Sequence, residues 1–129
     1  ADGQGRLHLT WSTNGNNRQG LFYKHIDGDW ESQPMAIGNP ATQASHAAAV
    51  AAGDTVILTW REFDGSAYSV QMMHSKDGGG SWGEPQRLMN TTGAADYPVP
   101  LINGKQVLVV WNTAAEGLRI LSFERIPTK

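Results

Sequence analysis

A pentapeptide recurs three times along this chain and sets the spacing of everything around it. Leu7-His8-Leu9-Thr10-Trp11 returns as Val56-Ile57-Leu58-Thr59-Trp60 and again as Val107-Leu108-Val109-Val110-Trp111. The closing tryptophans stand 49 and 51 residues apart. Each copy is a short apolar run, rich in the side chains that favour strands. Gly53-Asp54 and Gly104-Lys105 precede the second and third copies, as turn residues leading into a strand. His46 through Val50 lines up with Tyr97 through Leu101, and Gly20 through His25 lines up with Ser69 through His74 and Gly117 through Ser122. A period of about 50 residues made of short strands is the length of one four-stranded unit in a radial array.

Let the strands of each unit be A to D from the inside outwards. Copy one, residues 6–38, predicts B at 6–12, C at 20–26 and D at 34–38, with no A. Copy two, residues 46–90, predicts A at 46–51, B at 55–61, C at 68–75 and D at 85–90. Copy three, residues 97–124, predicts A at 97–102, B at 106–112 and C at 117–124. The expected fold class is therefore all-β: one partial β-propeller domain over residues 1–129, with about 2.7 four-stranded antiparallel blades. The one competing helix is the alanine-rich stretch 44–52, but nine residues are few for a helix and the repeat register places them in a strand.

Composition agrees. Fifteen glycines and five tryptophans in 129 residues suit short strands and tight turns. With 40% hydrophobic and 17% charged residues, a disordered chain is excluded. A net charge of -2 without a basic run argues against a nucleic-acid partner. There is no cysteine, hence no disulfide or cysteine-based metal site. No apolar stretch is long enough for a membrane-spanning helix, and no signal peptide opens the chain.

Between the second C and D strands lies Ser75-Lys76-Asp77-Gly78-Gly79-Gly80-Ser81-Trp82. An aspartate here can accept hydrogen bonds from the amides just ahead of it. Glycines allow positive φ, the two serines can tie the ends together, and Trp82 buries a large ring where the next strand begins. The pattern Ser-x-Asp-x-Gly-x-Ser/Thr-Trp, met at Ser75, Asp77, Gly79, Ser81 and Trp82, resembles the Asp-box of the bacterial neuraminidase repeat, found in sialidase-type β-propellers. Asp27-Gly28-Asp29-Trp30 resembles a shortened box, and the third copy has none. Trp60-Arg61-Glu62-Phe63-Asp64-Gly65 and Asn112-Thr113 are similar to the C-terminal half of bacterial exo-α-sialidase-like proteins. The resemblance covers roughly residues 6 to 123. It implies six blades, so this chain would be half a ring, completed in a homodimer or by the rest of a longer chain. It also implies a periplasmic or secreted protein and a glycan ligand.

In up-and-down blades the A–B and C–D turns share one face, and the B–C and D–A loops share the other. The Asp-box is a C–D turn, so its expected role is structural. Sialidase-type proteins hold substrate over the opposite face. There the candidate ligand-binding residues are Arg61, Glu62, Asp64, Asp96, Tyr97, Asn112, Arg18 and His46. The guanidinium of Arg61 suits a carboxylate ligand. The plainer alternative is a surface pair with Glu62. Tyr97 and His46 share a repeat position, which ordinary packing also explains, and Arg18 sits in an exposed Asn/Gly loop.

Glycoside cleavage commonly uses two carboxyl groups, or a tyrosine nucleophile in sialidases. The resemblance further calls for an arginine triad. Of Arg6, Arg18, Arg61, Arg87, Arg119 and Arg125, only Arg61 and Arg18 fall on the candidate face. Arg125-Ile126-Pro127 spells a sialidase tripeptide but closes the chain instead of opening a propeller, a coincidence of sequence. Catalytic residues stay unassigned. The first reading is a glycan-recognising module without a complete catalytic set. The second is an exo-α-sialidase completed by assembly or by a missing N-terminal half. The third is a protein-interaction propeller of an exported complex. No cofactor or metal is expected: His25 and His74 share a repeat position that reads as packing, and Gly78-Gly79-Gly80-Ser81 lacks the ending of a phosphate loop.

Overall fold

The computed structural model describes residues 2–14, 19–39 and 42–124. Among these residues there is no helix, and eleven strands form three antiparallel sheets. The first sheet joins β1 (Leu7–Asn14) to β2 (Gln19–Asp27), and β2 in turn carries two short outer strands. β3 (Trp30–Glu31) pairs with one end of β2, and β4 (Met35–Ile37) with the other. The second sheet runs β5 (Gln43–Ala52), β6 (Thr55–Phe63), β7 (Tyr68–Ser75) and β8 (Gln86–Thr91) in spatial order. The third holds β9 (Val99–Asn103), β10 (Gln106–Thr113) and β11 (Gly117–Glu124). None of the sheets closes on itself.

The alanine-rich stretch is β5, a strand throughout. Its small side chains let neighbouring sheets come close: β5 packs against β1 and β2 on one side and β9 on the other. The Thr10 hydroxyl reaches across to donate to the Ala47 carbonyl at 3.1 Å. Two-residue turns at Gly53-Asp54 and Gly104-Lys105 link β5 to β6 and β9 to β10, with both glycines at φ 59. That left-handed conformation costs a glycine nothing and suits the right-handed twist of the flanking strands.

The sheets stack through two joints of the same kind. In the first, Leu58 and Trp60 of β6 and Met73 of β7 meet Leu21 and Tyr23 of β2 and Ile37 of β4. In the second, Val109 and Trp111 of β10 meet Val70 of β7 and Met89 of β8, while Val107 meets Ile57 and Met72. Both tryptophans are fully buried. The middle sheet is covered on both faces, so Thr55 through Trp60 are buried without alternation, the pattern of a strand with no solvent side.

Candidate functional site

Arg61 and Glu62 are neighbours in β6 and point to opposite faces, because side chains alternate along a strand. Arg61 faces the side toward the third sheet. Its Nη1 donates to the Ala95 carbonyl at 2.6 Å. The guanidinium carbon lies 4.5 Å from the centre of the Tyr68 ring and 5.3 Å from that of Tyr97. Cation–π attraction and a backbone acceptor therefore hold the head group. Its Nε is buried without a hydrogen-bond partner, and among the described residues no carboxylate pairs with it.

Tyr97, itself 53% exposed, stacks on the exposed imidazole of His46, with ring centres 3.5 Å apart and 14° between planes. His46 has φ 57 and sits where a bulge interrupts the pairing of β5 with β6 between Ser45 and Ala48. The bulge re-aims the side chain toward the neighbouring sheet. Partial burial, with the nearby Arg61 charge, pushes the His46 pKa below that of a free imidazole. At neutral pH the ring is uncharged, and the rim formed by His46, Tyr97, Arg61 and Tyr68 carries one positive charge on an aromatic bed.

The other expected residues lie elsewhere or do other work. Glu62 is buried, and its Oε2 accepts from the Trp60 indole at 2.7 Å and from the Asn39 amide at 3.1 Å. It ties the β4–β5 connection to the second sheet and makes no pair with Arg61. Asp64 holds the β6–β7 turn, accepting from the Ser66 amide and hydroxyl and from the Ala67 amide. The Ser66 amide bond, with that of Ala67, lowers its pKa. Asp96 and Asn112 join at the neighbouring corner, with Asn112 Nδ2 donating to Asp96 Oδ2 at 3.3 Å. The Asp96 amide donates to the Asn112 carbonyl, and the Asp96 carbonyl caps the Trp111 indole at 2.8 Å. Arg18 and the Arg125-Ile126-Pro127 tripeptide lie outside the described residues. The structure thus brings His46, Arg61 and Tyr97 together, with Asp96 next in the chain. The sequence reading overlooked Tyr68. Its signal was the hairpin register: Arg61 pairs with Val70, which sets Tyr68 diagonally across from it.

Beside this rim is an open cleft of about 740 Å³ between the first sheet and the start of β5, lined by Ser12, Thr13, Gly20, Thr42, Gln43 and Ser45 among others. Ser45 pairs with Arg61 across the β5–β6 ladder, so cleft and rim share one end of the second sheet.

The Asp-box lies at the other end. Asp77 Oδ1 accepts from the Ser75 hydroxyl at 2.7 Å and the Ser81 amide at 2.8 Å, and Oδ2 accepts from the Ser81 hydroxyl at 2.6 Å. Ser75 Oγ accepts from the Gly79 amide at 2.9 Å, and the Trp82 indole donates to the Gly79 carbonyl at 3.2 Å. Trp82 meets Tyr23 of the first sheet edge-on at 5.0 Å. Behind it runs a buried polar chain. The Tyr23 hydroxyl bonds His8 Nδ1 at 2.7 Å, and His8 Nε2 meets Asp2 at 2.9 Å. Arg6 bridges Asp2 and Asp54 at 2.6 and 2.9 Å.

Partial burial works against ionisation of Asp77, but the bonds from Ser81, Ser75 and the backbone outweigh it and bring its pKa from 3.8 to about 2. A lowered carboxylate pKa contributes stability above its unfolded value and loses it as pH falls through the folded one. The melting temperature is therefore expected to drop between pH 4 and pH 2 more steeply in the native chain than in an Asp77→Ala variant. At pH 7 that variant should be destabilised by about 1–3 kcal/mol, since it leaves the Ser81 amide and two hydroxyls without their acceptor. Chemical denaturation at the two pH values measures both effects.

No protein-family model, curated protein or solved structure matches the chain.

Proposed function

We propose that the chain is a sialidase-like propeller segment that recognises an acidic sugar at the His46–Tyr97–Arg61 rim, without a complete catalytic set of its own. In this reading the three antiparallel sheets, built on one sequence repeat, are its blades, and β5 and β9 are their inner strands. The observation that carries the ligand class is Arg61. Its guanidinium lacks a carboxylate partner among the described residues, yet two tyrosine rings and a backbone carbonyl fix its position. A fixed guanidinium fork selects a carboxylate, and exposed aromatic faces such as that of Tyr97 suit the apolar face of a pyranose. With His46 neutral, Arg61 is the charge that an anion meets. The nearby acids do not form a hydrolytic pair: Glu62 is engaged with Trp60, Asp64 with its own turn, and Asp96 with Asn112.

Calorimetric titration with sialyllactose and with lactose tests this. Sialyllactose is expected to bind and lactose to bind at least about tenfold more weakly, the loss of one charge-assisted contact. Arg61→Met should abolish the difference at a cost of about 1 kcal/mol in stability, from the lost bond to Ala95. Equal affinity for the two sugars, or loss of binding only in step with loss of folded protein, would overturn the proposal.

A further inference from the structure

Each sheet has a leading face and a trailing face, and the two internal joints press the trailing face of one sheet on the leading face of the next. The leading faces carry Val56, Leu58 and Trp60 in the second sheet and Val107, Val109 and Trp111 in the third, all buried. Their repeat equivalents in the first sheet are Leu7, Leu9 and Trp11, which no other sheet covers among the described residues: Leu7 is 45% and Leu9 39% exposed, and Trp11 is half-buried against Phe22. The trailing faces carry Leu21 and Tyr23 in the first sheet and Val70 and Met72 in the second, again buried. Strand register makes Leu118 and Ile120 of β11 their equivalents. Val56 pairs with Ser75 and Val107 with Phe123, so Val70 and Met72 fall in line with Leu118 and Ile120. These two are 63% and 59% exposed.

From this we infer that the chain binds a second copy of itself head to tail, seating Leu7, Leu9 and Trp11 of one copy against Leu118 and Ile120 of the other and closing as a pair through two such joints. One end of the molecule displays the row, and the other end the socket, of a joint that it already makes twice within itself. Contiguous exposed apolar faces mark interaction surfaces. The occupant follows from the match: the socket formed by Val70, Met72 and Ile57 already holds a Val-Val-Trp row, and a Leu-Leu-Trp row is what the opposite end offers. Each joint brings together two different patches; in a closed pair every copy supplies one of each, so the two joints are related by a two-fold axis and every patch is covered. It rests on sheet packing alone and is independent of any sugar at the rim.

Light scattering on a sizing column tests it with the full chain and two variants, Leu9→Asp at the head and Ile120→Asp at the tail. Both side chains are exposed in the single chain, so circular dichroism should be unchanged. The native chain is expected at twice 14.0 kDa, and each variant alone at half the native mass. An equimolar mixture of the variants should recover a two-chain species, because the intact tail of one fits the intact head of the other. A native chain that runs as a single copy overturns the inference. A ladder of larger masses overturns closure as a pair. A variant that still pairs alone, or a mixture without recovery, overturns the head-to-tail joint.

Discussion

Trp60→Ala should destabilise the domain by about 3–5 kcal/mol, the range for truncating a buried tryptophan. For a domain whose whole stability is of order 5–15 kcal/mol, a loss of that size leaves little margin. Trp60 is 1% exposed and stands in the first joint with Leu21, Tyr23, Ile37 and Leu58. Its removal leaves a void between two sheets, and the surrounding strands are too constrained by their ladders to collapse into it. A second loss adds to the first. The indole donates to Glu62 Oε2 at 2.7 Å, so the variant takes one donor from a buried carboxylate that also accepts from the Asn39 amide. Trp60→Phe separates the two contributions: it keeps most of the volume and loses the N–H, for an expected cost of about 2 kcal/mol. Urea denaturation midpoints measure the series. A Trp60→Ala chain within about 1 kcal/mol of the native one would show that the joint contributes far less than its burial implies.

Gly79→Ala is expected to cost about 3 kcal/mol, combining backbone strain with overpacking. The residue has φ 99, which an alanine adopts only under strain, and an added Cβ would lie 2.2 Å from the Tyr23 hydroxyl and 3.0 Å from His25 Nδ1. Tyr23 has no room to retreat, since it is 1% exposed and its hydroxyl is bonded to His8. The adjacent glycine provides the control. Gly80 is not in the left-handed region, and its nearest contacts, the Asp77 carboxylate atoms, begin at 3.4 Å. Gly80→Ala should therefore cost no more than about 0.5 kcal/mol, as for an ordinary surface change. Thermal melts of the two variants side by side decide the matter, and equal losses would mean that the turn does not seat on Tyr23 as described.

Strand positions were legible in the sequence because short apolar runs recur at a spacing of about 50 residues, each closed by a tryptophan. The box was legible because its side chains bond to backbone only a few residues away. What the sequence hid is set by contacts between sheets. Glu62 was weighed as a partner of Arg61, next to it in the chain, whereas strand alternation puts it on the face of Trp60, two residues back. The stacking of His46 on Tyr97 follows from equal repeat positions on neighbouring sheets, but its geometry depends on a bulge that no residue type announces. The chain from Asp2 through His8 to Tyr23 links residues whose proximity only the packed first sheet creates. The short β3 was missed too, since two residues carry no periodicity.

The middle sheet has a consequence for how the molecule comes apart. Thr55 through Trp60 of β6 are buried on both sides, one face by the first sheet and the other by the third. Neither outer sheet can leave without stripping water-excluding cover from the centre. The amide protons of β6 are therefore shielded from solvent exchange by both partners at once and open only with the whole chain, while those at the free edge of β11 are released by local fraying. A protein built from a repeat, whose units could each have melted separately, is bound into one cooperative transition by its central strand.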